Sequence, residues 1–203
     1  CGMKALFAAT SQWFSLHIPG RDLDLNCLVH DDFKILKTAR HNKKLRRGMH
    51  QGNQFKIVLQ DFSVTDTLFR ERIDLIVEKG VPNYFGEQRF GHDGNNLNEV
   101  QKLIQTDKLK GNRHGTGLYL SAARSWLFNL VAANRLKLSN DDLTVETGPL
   151  WGRGRSSAEG QVADIEAHVL DDWKDWCYAL EHAGLKQQRR DLILRVDNVT
   201  TEW

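Results

Sequence analysis

Cysteine is scarce in this chain, and the three present (Cys1, Cys27 and Cys177) are far apart, with no C-x-x-C pair. That spacing argues against a zinc knot or a redox couple and leaves ordinary reduced thiols. Long apolar runs are missing as well. No stretch approaches the ~20 apolar residues that a bilayer-crossing helix needs, and no charged-then-apolar leader opens the chain. A cytoplasmic protein without membrane attachment is the expectation. No H-E-x-x-H, G-x-S-x-G or G-x-x-x-x-G-K-[ST] occurs, and the eight histidines do not cluster at ligand spacing. Metalloenzymes, classical hydrolases and P-loop enzymes therefore have no support. Internal repeats and low-complexity tracts are also lacking. What remains is 203 residues with 40% hydrophobic content, enough to bury the core of one domain or two modest ones.

The net charge of +2 hides an uneven distribution. Between Lys34 and Lys56 lie eight basic residues (Lys34, Lys37, Arg40, Lys43, Lys44, Arg46, Arg47 and Lys56) and no acidic one. Between Glu159 and Glu181 seven acidic residues face Lys174 alone. A charge run is by default a solvated face. The sharper reading of the basic run is a polyanion contact, because Lys and Arg that neutralise phosphates gain sequence-independent affinity by releasing counterions. Gly152-Arg153-Gly154-Arg155 is a weaker phosphate candidate, since glycine beside arginine is common in loops.

Periodicity divides the chain into strands and helices. Trp13–Ile18 alternates, with Phe14, Leu16 and Ile18 on one face, and predicts a strand. Phe33–Ala39 is a weaker strand candidate, and Asn53–Leu59 places Phe55, Ile57 and Leu59 on one face. Together with the basic, glycine-marked connection these two predict a hairpin. From Asp66 the period becomes helical, with Thr65 or Asp66 as N-cap and Gly80 as the stop. Gly80–Gly91 reads as an ordered loop. Helices are expected around Leu97–Ile104 and over Leu118–Leu136, then a turn-rich break at Gly148–Gly154 and one acidic amphipathic helix from Val162 to Leu180. Leu192, Leu194 and Val196 alternate as a last strand. The order predicts an α+β fold with a helical block set into a sheet domain.

Gly80-Val-Pro-Asn-Tyr-Phe-Gly-Glu-Gln-Arg-Phe-Gly91 matches eleven of the twelve positions of G-V-P-N-Y-F-G-x-Q-R-F-G. On that segment the chain resembles the TruD family of tRNA pseudouridine synthases. Leu120-Ser-Ala-Ala-Arg-Ser125, Gly148-Pro-Leu-Trp-Gly-Arg-Gly154, the Arg40–Arg47 run with Gly52, Asn53 and Phe55, and Gly2-Met3-Lys4 with Thr10, Gln12 and Trp13 extend the likeness along the chain. The resemblance implies a pseudouridine-synthase sheet domain over 1–79 and 185–203, incomplete here, interrupted by a mainly helical insertion over 80–184. It further implies a cofactor-free isomerase acting on a uridine of tRNA. Asn53 and Phe55 match the positions that hold the extruded base, Lys4 the lysine beside the nucleophile, and Arg40, Lys43, Lys44, Arg46 and Arg47 an RNA-backbone contact. No obligatory protein partner is implied, and a monomer is expected.

The residues also have plain readings. Phe55 on the apolar face of a strand is by default core, and Asn53 beside a glycine is by default a turn residue. Tyr84, Phe85 and Phe90 are expected to pin their own loop rather than stack bases. Asn83 and Arg89 are expected to be structural, through side-chain hydrogen bonds.

One departure bears on the chemistry. The family's catalytic loop reads G-x-K-D followed by a basic residue, where this chain has Gly2-Met3-Lys4-Ala5-Leu6. A methyl group cannot attack an anomeric carbon, so the chain as written is expected to be inactive. Asp22 or Asp24 in Gly20-Arg21-Asp22-Leu23-Asp24 is not expected to substitute, because catalysis tolerates little misplacement of the reacting group. The chain also opens inside this motif and closes at Trp203, and with it a shortened sheet with exposed edges is expected. A catalytically inactive tRNA- or RNA-binding module of the same family is the alternative reading.

Overall fold

The computed structural model describes residues 9–20, 24, 30–46, 49, 54–60, 63–106, 108–109, 116–138 and 147–201. It divides into two compact units, Cys1–Phe62 and Ser63–Trp203. The architecture is α+β, helices with small antiparallel sheets.

In the first unit the three expected strands do not form. Among the described residues, the segments 13–18, 33–39 and 54–60 carry no β-ladder, and the only pairing is an isolated bridge between His30 and Phe33 across a tight turn. Alternation marks a segment able to lie on a sheet, but a strand exists only where a neighbour's backbone completes its hydrogen bonds. The alternating apolar residues are correspondingly open, with Phe14, Leu16 and Ile57 all more than half exposed. Within the unit Leu45 N donates to Ser15 Oγ at 3.2 Å.

The second unit follows the helical reading closely. Helix α1 (Asp66–Lys79) starts where Thr65 Oγ1 accepts from Leu68 N and stops at Gly80. Gly80 sits at φ 79°, and a Cβ there would meet Ile193 Cγ2 at 2.6 Å and Leu194 O at 2.7 Å. Only glycine fits both constraints. Strand β1 (Val81–Pro82) follows, then α2 (Asn95–Gln105) and α3 (Gly117–Leu138).

Helix α3 is apolar around most of its circumference and is the centre of the unit. Leu120, Ala123, Leu127 and Val131 pack with Val100 of α2 and with Leu170, Trp176, Cys177 and Leu180. Phe128 and Ala132, a quarter-turn away, pack with Leu192, Phe85 and Leu150. Each fully buried Leu or Phe contributes about 1.5–3 kcal/mol relative to exposure. Burial pushes the Cys177 thiol up to about 12, so it is an inert core residue.

Three segments depart from expectation. The turn-rich break contains strand β2 (Thr147–Leu150), paired antiparallel with β3 (Gln188–Asp191). Gly148 and Pro149 masked it, but a two-stranded ribbon leaves every strand an edge, where proline is tolerated. The single acidic helix is instead α4 (Gly160–Val169) and α5 (Lys174–His182), separated by a 3₁₀ turn at Asp171–Trp173. Asp171 and Asp172 favour the start of a helix over its interior, while Trp173 still reaches the core through edge contacts with Trp126 and Trp176. The last strand is likewise split. Leu192 is fully buried between β3 and β4 (Ile193–Leu194), and there the chain passes from the β2 partner to the β1 partner.

Candidate functional site

Lys4, Ala5, Asn53 and Arg47 lie outside the described residues. Phe55 is described and is 76% exposed. Arg40, Lys43, Lys44 and Arg46 are exposed as well. His41 Nδ1 accepts from Lys43 N at 3.1 Å, which tightens the backbone within the basic run.

The structure assembles the setting of the Gly80–Gly91 signature. Asn83 uses its whole polar complement. Its N–H donates to Leu192 O at 2.8 Å, its Nδ2 to Asp191 O at 2.8 Å, and its Oδ1 accepts from Arg190 Nη2. Phe85 is held by Asn129 of α3, whose Oδ1 accepts from Phe85 N and whose Nδ2 donates to Phe85 O, both at 2.9 Å. That side-chain amide does what a neighbouring strand would do for an irregular segment. The Arg190 guanidinium lies 4.1 Å from the Phe85 ring centroid, and Phe85 meets Phe128 edge-on. Arg89 Nη1 donates to Ser121 Oγ, and Phe90 meets Trp126 edge-on.

Phe85 and Phe90 thus pin their loop, and Asn83 and Arg89 hold it by hydrogen bonds. Tyr84 is different: it stays 42% exposed, the most open aromatic of the signature. Arg190 is held below the usual arginine range by burial first, then by the neighbouring Arg89 charge. It nonetheless remains a cation at any physiological pH.

A second network lies on the other side of β3. Arg189 Nη1 donates to Glu166 Oε2 at 2.9 Å while Nη2 stands 2.8 Å from Oε1, an ion pair with one hydrogen bond. Arg189 also donates to the Thr147 hydroxyl and carbonyl, and Arg135 Nη1 to the same carbonyl at 2.7 Å. Glu166 and Arg135 are almost fully buried. Burial pulls the Arg135 guanidinium down and the Glu166 carboxylate pulls it back up. Adjacent arginines on one strand therefore serve opposite faces, as strand alternation requires. Sequence reasoning missed Asn129, Arg189 and Arg190 as the residues that build this region, because their partners lie tens of residues away and carry no local pattern.

Among the described residues no group of three or more His, Cys, Asp or Glu side chains is placed to hold a metal ion, and no helix is long and apolar enough to cross a membrane.

Comparison with known proteins adds what the geometry leaves open. The family model for tRNA pseudouridine synthase D (TruD) matches residues 1–114. A tRNA pseudouridine synthase D of Cellvibrio japonicus is 42% identical over all of this chain, and that of Aeromonas hydrophila is 39% identical over 96% of it. The Pseudomonas fluorescens relative of the same name is 37% identical over the full chain. The chain spans 64% of the length of the first two relatives. On the match of the family model and of these relatives, the chain belongs to the tRNA pseudouridine synthase D family.

Proposed function

We propose that this chain is built as a tRNA pseudouridine(13) synthase, which isomerises a flipped-out uridine of tRNA through an aspartate nucleophile, and that Ala5 stands here in place of that aspartate. The reading is carried by the likeness of the whole chain to relatives named tRNA pseudouridine synthase D. In that role residues 1–79 and 185–203 belong to the catalytic sheet domain and 80–184 to the insertion. Uridine and pseudouridine have the same formula, so the isomerisation needs no redox partner. The base–ribose bond breaks at N1, the uracil turns while held, C5 bonds to the sugar carbon, and C5 loses a proton while N1 gains one.

The target base must first leave the stack, which calls for an aromatic face and polar groups on the base edge. Phe55 offers the face, being open to solvent, and Asn53 the edge contact. Arg40, Lys43, Lys44, Arg46 and Arg47 neutralise phosphates, and Lys4 supplies positive charge beside the reacting centre. The protein acts as a monomer in the cytoplasm, without an obligatory protein partner.

The absent nucleophile gives the second reading its weight, a binding module that keeps the base pocket without the chemistry. Ala5→Asp with Leu6→Arg separates the two readings on an unmodified tRNA transcript, because pseudouridine formed by that variant supports the synthase and its absence supports a binding module. The chain as written is expected to bind the transcript, with affinity that falls as salt rises, and to form no pseudouridine above background. Turnover by this chain would overturn the role given to Ala5, and absence of binding would overturn both readings.

A further inference from the structure

The Gly152–Arg155 loop is not explained by the pseudouridine chemistry, yet it is held more firmly than a surface turn needs to be. Arg153 N donates to Leu185 O at 2.7 Å, and Gln187 N donates to Arg153 O at 2.9 Å. Together these form a parallel bridge between Arg153 and Lys186. Gly152 N donates to Gln187 Oε1 at 2.7 Å, and a Cβ on Gly152 would meet Lys186 O at 2.8 Å and Leu185 O at 2.7 Å. The two segments are as close as backbones can come, and only glycine permits it. From beneath, Arg124 Nη2 donates to Leu150 O at 2.8 Å and to Lys186 O at 2.9 Å, which locks the segment bearing Lys186 to strand β2.

This rigid frame presents two cations directly opposite one another. Residues paired across a bridge extend their side chains to the same face, and like charges so placed repel. Arg153, Arg155 and Lys186 are all exposed, and no carboxylate among the described residues pairs with any of them. Arg124 adds a third guanidinium below, held down by burial and bonded to backbone carbonyls rather than to an acid. A fold that fixes like charges face to face without a counterion is lowered in energy by an anion that bridges them.

We propose that Arg153 and Lys186, with Arg155 beside them, form a phosphodiester-binding site on the 63–203 unit, a second contact with the RNA backbone separate in sequence from the Arg40–Arg47 run. The proposal rests on the tRNA reading above. Its ligand is one or two backbone phosphates and not a base, because what Arg153, Arg155 and Lys186 present is exposed positive charge.

The test measures binding of an unmodified tRNA transcript to the full-length protein across a salt series, for the parent and for R153Q, K186Q and R153Q/K186Q. A K43Q/R46Q variant reports on the other basic run. Losing two phosphate contacts should flatten the log–log salt slope by about 1.4–1.8 and weaken binding about tenfold or more at low salt. The melting temperature without RNA should hold or rise slightly, because the substitutions relieve repulsion.

Unchanged affinity and slope in R153Q/K186Q, with the parent binding normally, would overturn the site and leave the tRNA reading standing. A parent that binds no tRNA would instead bring down that reading. A marked fall in melting temperature in K186Q as well as in the double variant would show the pair to be structural, which also overturns the proposal.

Discussion

Phe55 stands in an alternating segment with three-quarters of its surface open, where pattern alone places it in a core. Its exposure separates two roles by experiment. Phe55→Ala should leave stability within about 0.5 kcal/mol, as for a surface residue. If the ring stacks the target base, the same change should weaken tRNA binding by about 1–3 kcal/mol. Urea melts and binding isotherms on one preparation check both, and a large stability loss with unaltered binding would return Phe55 to the core. Asn129 makes the opposite case. Its amide satisfies both backbone groups of Phe85, so Asn129→Ala leaves a part-buried N–H and C=O without partners. The expected cost is about 2–4 kcal/mol in a urea titration. A change under about 0.5 kcal/mol would mean that water replaces the amide.

At the level of elements, legibility in the sequence tracked how local the determining physics is. Helix α1 is readable because a cap, a stripe and a stop all lie within the segment, at Thr65, Leu68 to Val77 and Gly80, and α2 and α3 are readable from their apolar stripes alone. Strand β2 was not, since Thr147–Leu150 becomes a strand only when Gln188–Asp191 arrives beside it. The reverse error occurred over 13–18 and 54–60, where good alternation met no ladder among the described residues. Leu192 broke an apparent strand because the core around Phe128 and Ala132 takes its side chain. The site divided the same way. A contiguous signature betrayed the family, while the residues that hold it, Asn129 and Arg190, are 44 and 107 positions from their partners.

The junction of α4 with the β2–β3 ribbon carries its own test. Glu166 is the one acid of that network, facing Arg135 and Arg189. Glu166→Ala strands two guanidinium groups in a largely buried setting, and loss of one partner of a buried pair costs about 3–5 kcal/mol. Chemical denaturation should show a loss of that size. A near-neutral result would mean the arginines relax to solvent.

Over the whole chain, net charge says little and its placement much. The basic run of the first unit is exposed where described, whereas the acidic segment of the second is not simply a solvated face, because Glu166 is turned inward to neutralise arginines. Exposed cations therefore appear on both units, at Arg40–Arg46 and at Arg153 with Lys186. Family membership rests on similarity along the chain, and the proposed loss of chemistry rests on Ala5 standing where the resemblance implies the aspartate nucleophile.

That claim is open to a gain-of-function measurement. Ala5→Asp with Leu6→Arg, made in the full-length protein and supplied with unmodified tRNA transcript, should produce pseudouridine while the parent produces none, with both binding the transcript equally. Equal turnover by parent and variant, or a variant that binds tRNA as the parent does and still forms no pseudouridine, would contradict the account.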